Sequence, residues 1–157
     1  MLKAEGSIFH MSRKPSSEKA LSYYTPKETS TMAEYKNLAI WQKSMDLAMQ
    51  VYDITEKFPS NETYGLASQM QRAAVSIPSN IAEGYGRKSD KEFYYFLHIA
   101  RGSMYELQTQ LYIAAGRDYV SDENVFHINE MIEEISKMTA GLLRRLEKAD
   151  PELNGRR

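Results

Sequence analysis

The feature that most constrains the fold is an apolar repeat in the second half of the chain. Its members lie alternately four and three residues apart, at Phe93, Leu97, Ala100, Met104, Leu107, Leu111 and Ala114. A second repeat of this kind follows at Val125, Ile128, Ile132, Ile135, Thr139, Leu142 and Leu146. This is the heptad spacing of helices that bury one face against other helices, so both repeats predict partner helices.

Two earlier stretches also have helical periodicity, and the sequence marks where the helices begin and end. The first stretch covers residues 38–58 and is followed by Pro59, which cannot continue a helix. Side chains that can cap the next three helices stand in front of them: Ser60 or Asn61, then Ser89, then Ser121. We therefore expect four helices of about 20 to 28 residues.

The second helix contains Pro78, which lacks a backbone donor. The helix either bends at the proline and continues or stops and restarts. We favour a kinked continuation to about Gly84, because Ile81 stays in phase with Ile77. Gly84-Tyr85-Gly86 is then expected to be the connector to the third helix.

Helices joined by short loops run antiparallel to their neighbours. The sequence therefore predicts an all-α, up-down-up-down four-helix bundle over residues 33–148. Residues 1–32 lack a hydrophobic period and are interpreted as a flexible N-terminal tail, in which Met32 leaves a later translation start open. Residues 149–157 are interpreted as a flexible C-terminal tail, because Asp150-Pro151 stops a helix.

Composition excludes several kinds of chemistry. The chain of 157 residues has no cysteine, which removes disulfides, thiolate metal sites and iron–sulfur clusters. No apolar run approaches the roughly 18 residues that cross a bilayer, so we expect a cytoplasmic protein without a membrane partner. Residues 33–148 contain 13 basic and 16 acidic side chains, a balance that disfavours strong nonspecific binding to nucleic acid.

Enzymatic sites on helical bundles require particular spacings. A di-iron centre needs Glu-x-x-His pairs, and the sequence contains none. The helical ribonucleases of toxin systems place an Arg and a His four to six residues apart on one helix, which neither His98 nor His127 matches. We expect no catalysis, metal or cofactor; an RNA-processing or metal-dependent enzyme on the bundle is the alternative.

The third helix carries tyrosines beside its apolar seam. Tyr94, Arg101, Tyr105 and Tyr112 follow one line along the helix. Because Tyr and Arg are enriched at protein–protein contacts, we predict that these four residues form a subunit interface of a homo-oligomer. Stacking on RNA bases is the lesser alternative.

Polar residues surround Pro78 in the second helix. Ser79 and Asn80 are expected to satisfy backbone carbonyls that the proline releases rather than to bind a ligand. Arg72, one and a half turns earlier, is expected to pair with Glu106 or another acid across the bundle.

Several motifs occur in one order along the chain: Leu38 to Lys43, Tyr64-Gly65-Leu66, Arg72 to Gly84 with its string SIPSNIAEG, Gly86-Arg87, Glu92-Phe93, Ala100 to Ser103 and Glu106-Leu107. Over residues 35–148 the chain resembles the four-helix bundle proteins associated with 23S rRNA intervening sequences, also called S23 ribosomal proteins. The resemblance implies a bacterial, non-enzymatic bundle that assembles into rings, typically pentamers.

The resemblance also bears on partners. Relatives that serve as accessory proteins of diversity-generating retroelements bind nucleic acid and a reverse transcriptase, which implies an RNA or an RNA-associated protein as partner. Gln71 and Gln108 stand where many members have Arg and Glu, and this weakens that implication. The family motif transfers to residues for which a structural or interface role is implied: Arg72, Pro78, Asn80, Glu83, Gly84 and Arg87.

Overall fold

A computed structural model describes residues 31–154, with side chains over residues 34–153. Four helices form the fold: α1 (Ala39–Thr55), α2 (Leu66–Gly86), α3 (Asp90–Gly116) and α4 (Asp122–Ala149). Short 3-10 segments lie at Thr31–Asn37, Ser60–Glu62 and Pro151–Asn154. No strand occurs within the described part, and the predicted all-α fold is confirmed. The expectation for residues 1–30 and 155–157 lies outside the described residues.

The helices pack as a four-helix bundle. Each helix contacts the next one along the chain, and α4 returns to contact α1. Polar side chains join neighbouring helices: Gln71 Nε2 donates to Thr55 Oγ1 at 2.8 Å, and the hydroxyls of Ser76 and Ser103 lie 2.8 Å apart. Because the connections are short, successive helices run in opposite directions, as predicted.

The core contains most of the two predicted seams. On α3 every seam residue from Leu97 to Ala114 is buried, and Phe93 is half-buried at the end of the bundle. On α4 the seam is buried from Ile128 to Thr139, but the next buried residue is Leu143, with the predicted Leu142 half-buried. A straight helix drifts by about 20° per heptad from a 3.5-residue repeat, which accounts for this difference near the end of α4.

Two predicted caps are confirmed. Ser89 Oγ accepts from the amide of Glu92 at 3.5 Å, and Ser121 Oγ accepts from the amide of Asn124 at 3.4 Å. Each serine is extended, as an N-cap residue is, and supplies an acceptor that the first helical turn lacks. These caps determine where α3 and α4 begin.

The predicted cap of α2 is wrong. Ser60 and Asn61 belong to a short 3-10 turn, and α2 begins only at Leu66. The Leu66 amide donates to the Glu62 carboxylate at 3.0 Å, so Glu62 supplies the acceptor at this helix start. A carboxylate there also interacts favourably with the helix dipole.

The predicted continuation of α2 through Pro78 is confirmed, and the predicted connector is wrong. Gly84, Tyr85 and Gly86 form the last turn of α2 instead of a loop. The chain reverses at Arg87 and Lys88, and Lys88 has a left-handed backbone with φ of 54°. Gly84 is buried because α3 passes directly over it.

Candidate interaction surfaces

The predicted interface residues divide into two groups. Tyr94 is half-buried, and its hydroxyl donates to Glu147 Oε1 of α4 at 2.9 Å. Burial and the bond to Glu147 raise the pKa of the Tyr94 phenol. Tyr94 therefore joins α3 to α4 within one chain.

Arg101 also contacts its own helix. Its Nη2 lies 2.9 Å from Nδ1 of His98, so the guanidinium donates and the imidazole accepts. The His98 ring meets the Tyr94 ring edge-on, with 4.5 Å between the ring centroids. Burial and the charge of Arg101 lower the pKa of His98, although Glu147 opposes them. The structure thus places a neutral imidazole beside Arg101.

The other two predicted residues are exposed. Tyr105 has 58% of its surface exposed and Tyr112 has 54%. Tyr95 and Ile113 on the same helix are 62% and 51% exposed. We call these four side chains the α3 face. Sequence reasoning missed Tyr95 and Ile113 because both lie off the predicted line.

A large exposed side chain of α4 lies at about the level of Tyr112 along the bundle. Phe126 is 65% exposed. Gln108 Nε2 donates to Asn129 Oδ1 at 3.1 Å, which fixes the register of α3 against α4. Since the helices run antiparallel, one turn beyond Gln108 leads to Tyr112 and one turn before Asn129 leads to Phe126. The two aromatic rings therefore lie at the same level of the bundle.

A second apolar surface lies between the other two helices. We call it the α1–α2 groove; it has a volume of about 380 Å³. Ten residues line it, none of them charged: Tyr35, Trp41, Met45, Ala48, Met49, Tyr52, Val75, Pro78, Ser79 and Ala82. Met49, Tyr52 and Val75 are 38%, 41% and 41% exposed. Helical periodicity did not single out Met49 or Val75, because neither belongs to a predicted seam.

A larger cleft of about 970 Å³ opens at the end of the bundle where α2 meets α3. Aromatic rings line it, including Tyr85 and Phe93, together with the basic side chains of Lys88 and Arg145. Glu34 and Asp90 also line it, so the cleft has mixed charge. It could hold a ligand that combines an aromatic ring with charged groups.

The two ends of the bundle differ in charge. Residues 51–75 and 104–135, which form the end away from the cleft, contain three basic and ten acidic side chains. Residues 34–50, 76–103 and 136–153 form the end with the cleft and contain ten basic and eight acidic side chains. A polyanion would therefore meet less repulsion at the cleft end.

The family motif residues fall into different environments. Glu83 and Arg87 form an ion pair of 2.7 Å on the surface of α2, and the guanidinium lies over the ring of Phe96. Asn80 donates to the Ser76 carbonyl at 2.7 Å, and Ser79 donates to the Val75 carbonyl at 2.8 Å. Both bonds go to carbonyls four residues earlier on α2. Neither acceptor is the Ala74 carbonyl that Pro78, which lacks an N–H, leaves without its usual donor, so these bonds differ from the predicted ones.

The environment of Arg72 differs from the expected ion pair with an acidic residue across the bundle. It is exposed on α2, and the ion pairs found among residues 34–153 do not include it. Glu106 instead accepts from the side chain of Gln110 at 3.0 Å. The predicted pairing of Arg72 with Glu106 across the bundle is not found within the chain, and both charges face outward.

Two absences in the described part of the chain concern metals and membranes. No group of three or more His, Asp or Glu side chains there is arranged to hold a metal ion. None of the helices in that part of the chain is long and apolar enough to span a bilayer.

Comparison with known proteins identifies a family and finds similarity to solved structures. The sequence model of the family described as "23S rRNA-intervening sequence protein" matches residues 36–141. A crystal structure from Bacteroides thetaiotaomicron, described as a protein with unknown function from the S23 ribosomal protein family, has a TM-score of 0.63 and 23% identity. The similarity covers 67% of this chain and 98% of that one, and it shows the shared fold. No curated protein matches the sequence significantly.

Proposed function

The chain belongs to the 23S rRNA-intervening sequence protein family, and from this premise we propose that it is a homo-oligomeric adaptor without catalytic activity of its own. Its first partner is a second copy of the same chain. Five copies is the number that the family resemblance implies. Its further partner is an RNA or an RNA-associated protein in the cytoplasm.

The observation that carries the proposal is the α3 face. The core of the bundle is complete without Tyr95, Tyr105, Tyr112 and Ile113, yet these large side chains are more than half exposed. From Tyr95 to Ile113 the helix has only two formally charged residues, Arg101 and Glu106. A face that is rich in tyrosine and poor in charge is typical of the central part of a protein–protein interface.

The charge distribution supports the cleft end as the place where RNA would bind. The acidic end repels phosphate, whereas the cleft end combines basic side chains with the exposed entrance of an aromatic-lined cleft. Contacts to phosphate supply most of the nonspecific affinity for nucleic acid, and aromatic rings add stacking with bases. Lys88 and Arg145 are the two cleft residues that we assign to phosphate.

Light scattering coupled to size exclusion tests the assembly. The chain has a mass of 18.1 kDa, so a stable oligomer is recognised by a mass that is an integral multiple of this value. We expect an oligomer whose mass does not change over a tenfold dilution. A monomer at all concentrations would contradict the proposal.

Two assays test the remaining parts. The first assay incubates purified protein with ribosomal RNA fragments, and specific cleavage would favour the enzymatic alternative. The metal content of the purified protein is measured separately, and a stoichiometric metal would also favour that alternative.

The second assay measures RNA binding at increasing salt concentration, and we expect a log-linear loss of affinity. Replacing both Lys88 and Arg145 with Gln should make the salt dependence shallower, with Lys57→Gln at the acidic end as the control.

A further inference from the structure

We propose that neighbouring subunits associate head to tail, with the part of the α3 face from Tyr95 to Tyr105 of one copy seated in the α1–α2 groove of the next. This inference rests on the proposed homo-oligomer and names the two surfaces that make its contact. The occupant of the groove is thus a second copy of this chain.

The first argument is that the two surfaces are complementary and belong to different helices. The α3 face presents exposed rings, whereas the groove is a concave apolar surface without a charged lining residue. A two-fold axis through the α3 face would pair this face with itself and leave rings against rings, with the groove uncovered. A head-to-tail contact covers both surfaces in every copy.

The second argument is the level of the surfaces along the bundle. The bond between Gln71 and Thr55 aligns α1 with α2, and it places Tyr52 beside residue 74 of α2. The bond between Ser76 and Ser103 aligns α2 with α3, and it places Tyr105 beside the same residue. The backbone positions of Tyr52 and Tyr105 therefore lie at about the same level of the bundle.

The common level of the two surfaces determines whether the subunits can form a closed ring. Copies related by rotation about an axis parallel to the helices bring together only residues that lie at one height. A head-to-tail contact that needs no shift along the helices can close into a ring, whereas a shift at each step produces a filament. The common level of the groove and of the α3 face from Tyr95 to Tyr105 therefore favours a closed assembly.

The third argument is charge. Arg72 flanks the groove on the outer side of α2, and Glu106 flanks the α3 face. Arg72 lies about four residues before Ser76 on α2, and Glu106 lies about three residues after Ser103 on α3. Because the two helices are antiparallel, both charges lie toward the same end of the bundle from this bond, and their heights along the bundle differ by about 1.5 Å. Neither forms an ion pair among residues 34–153. In the proposed contact each Arg72 would face the Glu106 of the neighbouring copy.

Complementation between two variants tests the inference. Val75→Glu places a charge in the groove and leaves the α3 face intact, whereas Tyr105→Glu does the reverse. Both positions are exposed, so the bundle should fold, and circular dichroism checks that it does. Met49→Glu and Tyr95→Glu repeat the test from other positions at the level of the groove. Tyr64→Glu is the matched control, because Tyr64 is 96% exposed and belongs to neither surface.

We expect each groove or face variant alone to be a monomer at concentrations where the wild type and Tyr64→Glu are oligomers. An equimolar mixture of Val75→Glu and Tyr105→Glu should form a dimer and nothing larger, since only one intact interface exists between them. Assembly of Val75→Glu alone, or a mixture that stays monomeric, would overturn the head-to-tail contact. A monomeric wild type would instead overturn the proposed oligomer itself.

Discussion

Gly84 of α2 lies directly against Phe96 of α3, where a β-carbon built on the glycine would stand 2.6 Å from Cβ of Phe96. The atom in the way is attached to the backbone, so it cannot turn aside as the end of a flexible side chain could. The two helices approach this closely just before the three-residue connection between them. The glycine thus allows α2 and α3 to pack tightly at the cleft end of the bundle.

Gly84→Ala should therefore destabilise the bundle. The helices must separate locally, and overpacking of this kind costs about 1–3 kcal/mol of unfolding free energy. Gly86→Ala is the matched control, since it lies two residues further along α2 and a β-carbon there meets nothing within 4 Å. The control should be neutral or stabilise by up to about 1 kcal/mol. Urea denaturation measures both, and equal effects of the two variants would contradict the close-packing role.

Caps give a second prediction. Ser121→Ala removes the acceptor for the Asn124 amide and should lower the unfolding free energy by about 0.5–2 kcal/mol. Ser60→Ala is the control, because Ser60 does not cap α2. A loss of similar size in Ser60→Ala would mean that the side chain of Ser60, and not that of Glu62 alone, stabilises the start of α2.

The pH dependence of stability gives a third prediction. The pKa of His98 is lowered in the fold, chiefly by burial and then by Arg101. In the unfolded chain the pKa of a histidine is about 6.5, so on acidification His98 takes up a proton at a higher pH in the unfolded chain than in the folded one. The stability is therefore complete above that pH and decreases as the pH falls toward the lowered pKa of the folded state.

His98→Gln should remove this dependence while keeping an acceptor for Arg101. Chemical denaturation between about pH 7.5 and 5.5 measures it, a window above the ordinary range of carboxylates. His127→Gln is the control, because His127 is exposed on α4. Identical pH profiles for the wild type and His98→Gln would show that the imidazole does not contribute.

Sequence periodicity predicted the number of helices, their antiparallel order and most of the core, because burial imposes the heptad directly on the residues. It misplaced the connector after α2, since glycine is typical both of turns and of places where two helices touch. Only the position of Phe96 distinguishes the two roles of Gly84. Glu62 was likewise missed as the cap, because its carboxylate reaches the helix start from within the preceding turn.

The candidate interface could be predicted only in part for a similar reason. Tyr94 and Tyr105 lie on one line of α3, so helical periodicity predicts the same environment for both. Their difference comes from Glu147, which lies 53 residues from Tyr94 and reaches it only after α4 has packed. The α1–α2 groove is a tertiary feature too, since its lining comes from residues that are distant in sequence.

A charge exchange at the edge of the proposed contact gives the last prediction. Arg72→Glu and Glu106→Arg each place like charges opposite one another between copies, and each should weaken assembly, by about tenfold for a coupling near 1.4 kcal/mol. The double variant restores opposite charges and should assemble like the wild type. An equimolar mixture of the two single variants has matched charges at about half of its contacts, so it should assemble better than either variant alone but less well than the double variant. Sedimentation velocity at low salt measures the dissociation, and Lys137→Glu, on the outer surface of α4, serves as the control. Additive loss in the double variant would show that Arg72 and Glu106 do not meet across the interface.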